Sequence, residues 1–212
     1  MKLHGYFRSS ASYRVRIALN LKGLWCEHLP HHLRKGEQHA PAYLAINPQG
    51  LVPALETDDG ALTQSLAILE WLEETHPEPP LLPKGARERA IVRSMAEIVA
   101  CDIHPLNNLR VLQALAGLGH PMGGEDQTAW GRAWINAGFA ALEPMVAEHG
   151  GGFAFGASPT LADCCLIPQI WACSRFRVDL TPYPALAAVY ARAADHPAFQ
   201  AAHPERQPDA VR

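Results

Sequence analysis

The sequence predicts an α/β domain followed by an all-helical domain, and three observations predict it. Short β-capable runs alternate with helical patterns up to about residue 76, in the order strand, helix, strand, proline-led hairpin, helix. Four prolines then fall within the seven residues from Pro77 to Pro83, a run that cannot continue a helix and reads as a linker. From Arg87 to about residue 200 the pattern is helical, with few strand signals. The expected domains are residues 1–82 and 87–212.

The first strand is Lys2 to Tyr6. The next stretch, Ser9-Ser10-Ala11-Ser12-Tyr13-Arg14-Val15-Arg16-Ile17-Ala18-Leu19, places Tyr13, Ile17, Ala18 and Leu21 near one helical face, with Gly23 as a C′ stop. Three hydroxyls sit at this strand-to-helix join, and Ser9 or Ser10 is the natural N-cap. Unpaired N–H groups and the positive end of the dipole suit an anion there, a thiolate included. An ordinary capped helix would carry the same residues.

Trp25 to Pro30 makes the second strand of a βαβ unit. Leu33 to Ala45 is polar and irregular, with room for one helical turn. Asn47-Pro48 and Gln49-Gly50 mark a turn. Val52 to Thr57 and Ala61 to Thr63 then pair around Asp58-Asp59-Gly60. Pro53 has no N–H for a ladder, so it belongs at a strand start or on an edge. A cis Val52–Pro53 bond would free the local backbone to pair with a ligand. Gln64 to Leu72 begins a helix with Ser65 as N-cap or first residue and with Ile68, Leu69 and Leu72 inward. Its start is a second place able to receive an anion.

Beyond the linker, Arg87 to about Leu118 is one long helical pattern interrupted at His104-Pro105, where proline kinks the helix and opens space. Asp126 to Glu148 is a second helix, stopped by Gly150-Gly151-Gly152. Thr160-Leu161-Ala162-Asp163 resembles a capping box, with Asp163 in place of Glu or Gln, and opens a helix to about Cys173. Pro184 to Ala194 is a further helix. The polar, proline-bearing tail from His203 is expected to cover the surface or fray.

Composition excludes several classes. At 212 residues and 48% hydrophobic, the chain can bury a sizeable core in one or two domains. A net charge of −3 gives no electrostatic case for nucleic acid or an acidic membrane. No apolar run approaches about 18 residues, so no membrane span is expected. Met1 to Gly5 leads straight into structure, without the apolar region of a signal peptide. The five cysteines, Cys26, Cys101, Cys164, Cys165 and Cys173, are odd in number and contain no Cys-x-x-Cys. This argues against disulfides or structural zinc and favours a reducing cytoplasm. His31 and His32 are neighbours that point apart, so they read as exposed loop residues, not metal ligands.

Several ordered motifs resemble the zeta class of glutathione transferases. Ser9 to Leu19 looks like the class signature Ser-Ser-Cys-x-Trp-Arg-Val-Arg-Ile-Ala-Leu. Asn47-Pro48-Gln49 with Val52-Pro53, and Gln64-Ser65-Leu66-Ala67-Ile68, are similar to its glutathione site. Asp102 to Leu112, Arg175 to Pro184 and His203 to Asp209 are also typical, so the resemblance covers nearly the whole chain. It implies the glutathione transferase fold, a thioredoxin-like N-terminal domain joined to a helical one, in a cytoplasmic homodimer. It also implies glutathione-dependent cis–trans isomerisation of a small diacid, maleylacetoacetate or maleylpyruvate, in aromatic catabolism such as tyrosine degradation.

The roles carry over residue by residue. Ser9 would hydrogen-bond the glutathione thiolate, aided by N–H groups near Ser10 and Ala11, with Ser12 and Arg14 among the glutathione-binding positions of the signature. The Val52 backbone, presented by a cis Pro53, would pair with the cysteinyl part. Gln64 and Ser65 would hold the γ-glutamyl carboxylate, and Gln38 and Gln49 would line the glycyl side. His104, Asn108 and Arg110 would close the site. Arg8, Arg110 and Arg175 would grip substrate carboxylates, since guanidinium binds them bidentately. Outside the resemblance each arginine reads as a surface charge and His104 as a polar helix residue.

Two positions depart from the signature: Ala11 replaces its cysteine and Tyr13 its tryptophan. Any role of that thiol is absent here. Tyr6 or Tyr13 could instead supply the activating hydroxyl, as tyrosine does in other transferase classes, but the serines are in register with the zeta motif. Two other functions remain open. One is a general transferase or dehalogenase acting on small α-halo acids. The other is a non-catalytic binding module, against which the retention of Ser9, Val52-Pro53 and Gln64-Ser65 argues.

Overall fold

The computed structural model of the chain describes residues 1–120 and 123–210. Contacts divide the chain into two units, Met1–Leu81 with the segment from Ala194 onward, and Leu82–Ala193. The first division, after Leu81, falls inside the run from Pro77 to Pro83. The second was not foreseen: residues after Ala194, expected in the helical domain, return to the first unit. Positions 211 and 212 of that expected domain lie outside the described residues.

The first unit contains β1 (Lys2–Gly5), α1 (Ser10–Leu21), β2 (Glu27–Pro30), α2 (Pro41–Leu44), β3 (Ala54–Thr57), β4 (Gly60–Thr63) and α3 (Ser65–Thr75). The sheet order is β2-β1-β3-β4, with β1 parallel to β2 and the other pairs antiparallel. Successive side chains of β1 point to opposite faces. Gly5 lies against Ser12 of α1, while His4 meets Tyr43 of α2 at 5.5 Å between ring centroids. Val15, Ile17, Ala18 and Leu19 of α1 and Ile68, Leu69 and Leu72 of α3 are buried, and the two helices pack together. Gly23, at φ +65°, ends α1 as expected. Strand β2 is shorter than expected, and Trp25 is 80% exposed.

His31 is not an exposed loop residue. Its Nε2 lies 2.8 Å from His4 Nδ1, and its ring lies 4.3 Å from that of Tyr43. His4 is buried and its Nε2 lies 2.7 Å from Glu56 Oε1. A carboxylate on β3 and an imidazole on β1 thus pin the segment after β2. Sequence spacing could not show this, because the three residues meet only when the sheet forms.

The second unit contains α4 (Ala86–Glu97), α5 (Leu109–Gly117), α6 (Gly124–His149), α7 (Leu161–Cys173) and α8 (Pro184–Ala194). Helix α7 is apolar on nearly every face and is buried along its length except at Trp171, as befits the core of a bundle. Asp163 ties down its start, accepting from Ala154 N at 2.7 Å, Thr160 N at 2.8 Å and Thr160 Oγ1 at 2.9 Å. Burial pushes this carboxyl up to about 6 against those three donors.

The interruption at His104-Pro105 is broader than the expected kink. Helix α4 runs into a π-helical turn at Ile98–Ile103, then a 3-10 turn at His104–Asn107. Pro105 has no N–H, and its ring displaces the carbonyl four residues back, so the ladder must shift before it. Helix α6 accommodates close neighbours through two glycines one heptad apart. A Cβ at Gly138 would overlap Ile103, and one at Gly131 would overlap the Phe176 ring.

The last helix of the first unit, α9 (Pro197–Ala202), packs on α1. The described part of the tail, to residue 210, is tied to the first unit. Buried Arg16 donates through Nε to Ala202 O at 3.0 Å, through Nη1 to Tyr6 O at 3.4 Å and through Nη2 to Phe7 O at 3.1 Å. Asp209 Oδ2 accepts from Phe7 N at 2.9 Å. The loop between β1 and α1 is therefore clamped to the C-terminal segment.

Two predictions follow from this packing. Gly→Ala in an exposed helix gains about 1 kcal/mol, but overpacking a core costs about 1–3 kcal/mol. Because Phe176 is a buried, rigid ring, Gly131→Ala should lower stability in chemical denaturation. The second concerns acid. Burial holds His28, His31 and His203 below the ordinary histidine value of 6.5, with Arg16 adding to His28 and His4 to His31. The unfolded chain then binds protons that the folded one refuses, so this stability is lost as pH falls below about 6.5. Asp163 works in the opposite sense. The drop in melting temperature between about pH 7.5 and 5.5 should therefore be smaller for His31→Gln than for wild type.

Candidate functional site

The first feature of the site is the start of α1. Ser9 is the N-cap, at φ −73° and ψ 115°, and its Oγ accepts from Ser12 N at 3.2 Å. The same residue donates N–H to Tyr6 O and accepts from Tyr13 N, so it is fixed on three sides. With Oγ used as an acceptor, the hydroxyl proton remains to be donated outward. Ser10 and Ala11 open the helix, so their N–H groups have no intrahelical acceptor. No acidic side chain sits in this first turn to compete with an incoming anion. Arg8 is half-buried in the turn just before Ser9.

The second feature is the start of α3. Ser65 is its first residue and Gln64 its N-cap, at φ +69°, a backbone region that side chains rarely adopt. Gln64 makes no capping bond. Its Nε2 donates instead to Gln49 Oε1 at 2.8 Å. Helix α3 therefore begins with donors that its own N-cap side chain does not satisfy.

In the sequence Val52 lies between these two starts. The Val52–Pro53 bond is cis. The Leu51 carbonyl is braced by Tyr43 Oη and Asn47 Nδ2, and Gln49 N donates to Asn47 Oδ1 at 3.1 Å. Val52 itself leaves both its N–H and its C=O without a partner among the described residues. Gln38 sits half-buried in the 3-10 turn Glu37–His39, with its Oε1 buried and unpartnered. The unit thus carries two donor-rich helix starts and a main-chain donor and acceptor with no partner among the described residues. This set fits an extended, anionic peptide carrying a thiolate.

Two expected contacts are placed elsewhere. Ser12 is fully buried, with Oγ against Gly5, and it serves Ser9 only through its N–H. Arg14 is buried, and its Nη1 donates to Ser65 Oγ. Tyr13 is buried, with the Arg16 guanidinium 5.3 Å from its ring centroid. Sequence reasoning missed Asn47, Arg16 and Asp209 as supports of these loops. Only the Asn47-Pro48 turn signal pointed to one of them.

The remaining candidates belong to the second unit. His104 opens the 3-10 turn after the π-helical turn. Asn108 N-caps α5, and its Oδ1 accepts from Arg110 N at 3.1 Å, so that oxygen is committed to the cap. Arg110 is exposed in the first turn of α5. Arg175 is exposed and stacks on Trp171 and Phe176 at 5.5 and 5.8 Å.

Comparison with known proteins matches residues 3–80 to the glutathione S-transferase N-terminal domain and residues 128–192 to the glutathione S-transferase C-terminal domain. The chain is 49% identical to maleylacetoacetate isomerase of Pseudomonas aeruginosa, over 99% of this chain and 98% of that one. A solved structure described as holo maleyl pyruvate isomerase, a bacterial zeta-class glutathione transferase, is 50% identical. It covers 100% of both chains at a TM-score of 0.95. The structure of maleylacetoacetate isomerase from Methylobacterium extorquens, with bound malonate and glutathione, is 43% identical over 100% of both chains at a TM-score of 0.94.

Proposed function

Since this chain belongs to the glutathione transferase family, in its zeta class, we propose that it is a glutathione-dependent cis–trans isomerase of maleylacetoacetate or maleylpyruvate in aromatic catabolism. The observation that carries it is full-length likeness to isomerases of these two diacids, joined to a helix start where Ser9 keeps a proton to donate.

The chemistry explains why the protein needs no nucleophile of its own. A carbon–carbon double bond does not rotate at a useful rate. Glutathione held by Ser9, Val52, Gln64 and Ser65 would supply reversible thiolate addition to that bond, the displaced electron pair going to the conjugated carbonyl and returning on elimination. The chain has to favour the thiolate, hold the peptide and neutralise the diacid. Ser9 Oγ–H and the N–H groups of Ser10 and Ala11 stabilise negative charge at sulfur. Val52 offers its N–H and C=O to the cysteinyl backbone. The α3 start, with Gln64 and Ser65, takes the γ-glutamyl carboxylate, and Gln38 and Gln49 take the glycyl side. Arg8, Arg110 and Arg175 are assigned to the substrate carboxylates, and His104 and Asn108 to closing the site. The unpaired Val52 backbone supports this fit. Among the described residues no helix is long and apolar enough to cross a membrane. We place the enzyme in the cytoplasm as a homodimer, which light scattering on the purified protein tests.

The deciding measurement is the absorbance change of freshly generated maleylpyruvate and maleylacetoacetate, each with and without glutathione. Conversion should require glutathione, and equal rates without it would overturn the assignment. Ser9→Ala should lower kcat by about 10²-fold or more, the scale of one lost charge-stabilising donor. Its cost in stability should be only about 1 kcal/mol, the worth of a helix cap. Conjugation of α-halo acids outpacing isomerisation would instead indicate a general transferase.

A further inference from the structure

We propose that Arg14 is a positioning residue that fixes the direction of the Ser65 hydroxyl, making Ser65 a donor to the γ-glutamyl carboxylate of glutathione. The inference rests on the glutathione-binding site described above. Arg14 is 3% exposed and Ser65 7% exposed. Arg14 reaches from α1 to α3, where its Nη1 stands 3.1 Å from Ser65 Oγ.

A guanidinium can only donate, whereas a serine hydroxyl has one proton and two lone pairs. The contact therefore occupies a lone pair of Ser65 and turns its proton elsewhere. At an ordinary helix start a side-chain oxygen accepts from the first free N–H groups. Here the N-cap gives no such oxygen, since Gln64 is turned to Gln49. The Ser65 oxygen is already taken by Arg14. What α3 presents at its start is main-chain N–H groups and one O–H whose proton is turned away from Arg14. The complement is an anion with two acceptor oxygens, and in glutathione that is the γ-glutamyl carboxylate. Arg14 acts through Ser65 and need not touch the ligand.

Calorimetry with two probes tests this: glutathione, and γ-aminobutyryl-cysteinyl-glycine, which lacks only that carboxylate. The proteins are wild type, Arg14→Met, Arg14→Lys, Ser65→Ala and the Arg14→Met/Ser65→Ala double variant. Wild type should prefer glutathione. Arg14→Met and Ser65→Ala should each weaken glutathione about tenfold or more, the scale of a hydrogen bond to a charged group. The double variant should be no worse than the weaker single, and binding of the analogue should stay level across the series. The KM for glutathione should move more than kcat, and Arg14→Lys should recover part of the affinity.

If Arg14→Met weakens both probes alike, or neither, Arg14 only packs α1 on α3 and the proposal falls. If Arg14→Met does not fold, Arg14→Lys carries the same comparison with Ser65→Ala, and additive losses overturn the proposal. If wild type binds neither probe, the glutathione reading fails first and this inference fails with it. If wild type binds glutathione while the variants do not discriminate, the inference alone fails.

Discussion

The buried guanidinium of Arg16 is the tie on which the rest of the first unit depends. It joins the carbonyls of Tyr6 and Phe7, just before the α1 start, to that of Ala202 at the end of α9. Burial pulls its pKa down to about 10, so it stays charged at neutral pH while its hydration is replaced by three carbonyls. Losing the guanidinium would take this donor from the Phe7 and Ala202 carbonyls, each unpaired acceptor costing about 1–3 kcal/mol, while Tyr6 O would keep the Ser9 N–H. The loop carrying Arg8 and Ser9 is thus held by the far end of the chain. A C-terminal segment that looks dispensable in sequence is part of the frame of the site.

Both helix starts in this unit use one device. A serine hydroxyl is engaged by a donor of the protein, Ser12 N–H for Ser9 and Arg14 for Ser65, which leaves its proton for a ligand. Neither serine could be read as a donor from its type alone, since a hydroxyl serves either way. Direction comes from the neighbour that fills the lone pair. That neighbour is local for Ser9, three residues on. For Ser65 it is 51 residues away in sequence.

The same distinction explains what was legible in the sequence. Local chemistry was readable: Ser9 as cap, Gly23 as stop, the Asp58-Asp59-Gly60 hairpin and the helix Pro184–Ala194 all follow from rules spanning a few residues. The ordered motifs carried the family. Apart from the length of β2 and the breadth of the turn before Pro105, the misses are long-range. His31 became a structural partner of His4 because a parallel strand set them side by side. Arg14 and Ser12 turned inward because α1 is buried on more faces than its periodicity implied. The tail was held by Arg16 and Asp209, whose partners lie at the opposite end of the chain.

The cysteines complete the chemical logic. Burial pushes the Cys26 thiol up to about 11 and the Cys173 thiol up to about 12, Cys164 and Cys165 are buried on the same helix as Cys173, and Cys101 is exposed in the second unit. A thiol ionising near 11 is thiolate at only about one part in ten thousand at neutral pH. At the start of α1, where a thiolate would be stabilised, the chain has Ala11 in place of the signature cysteine. Under the proposed function, Ala11 leaves the α1 start to the sulfur of bound glutathione. On that reading Ser9 takes one end of the peptide and the α3 start the other, and isomerisation depends on how accurately the starts of α1 and α3, joined by the Arg14–Ser65 bond, hold those ends apart.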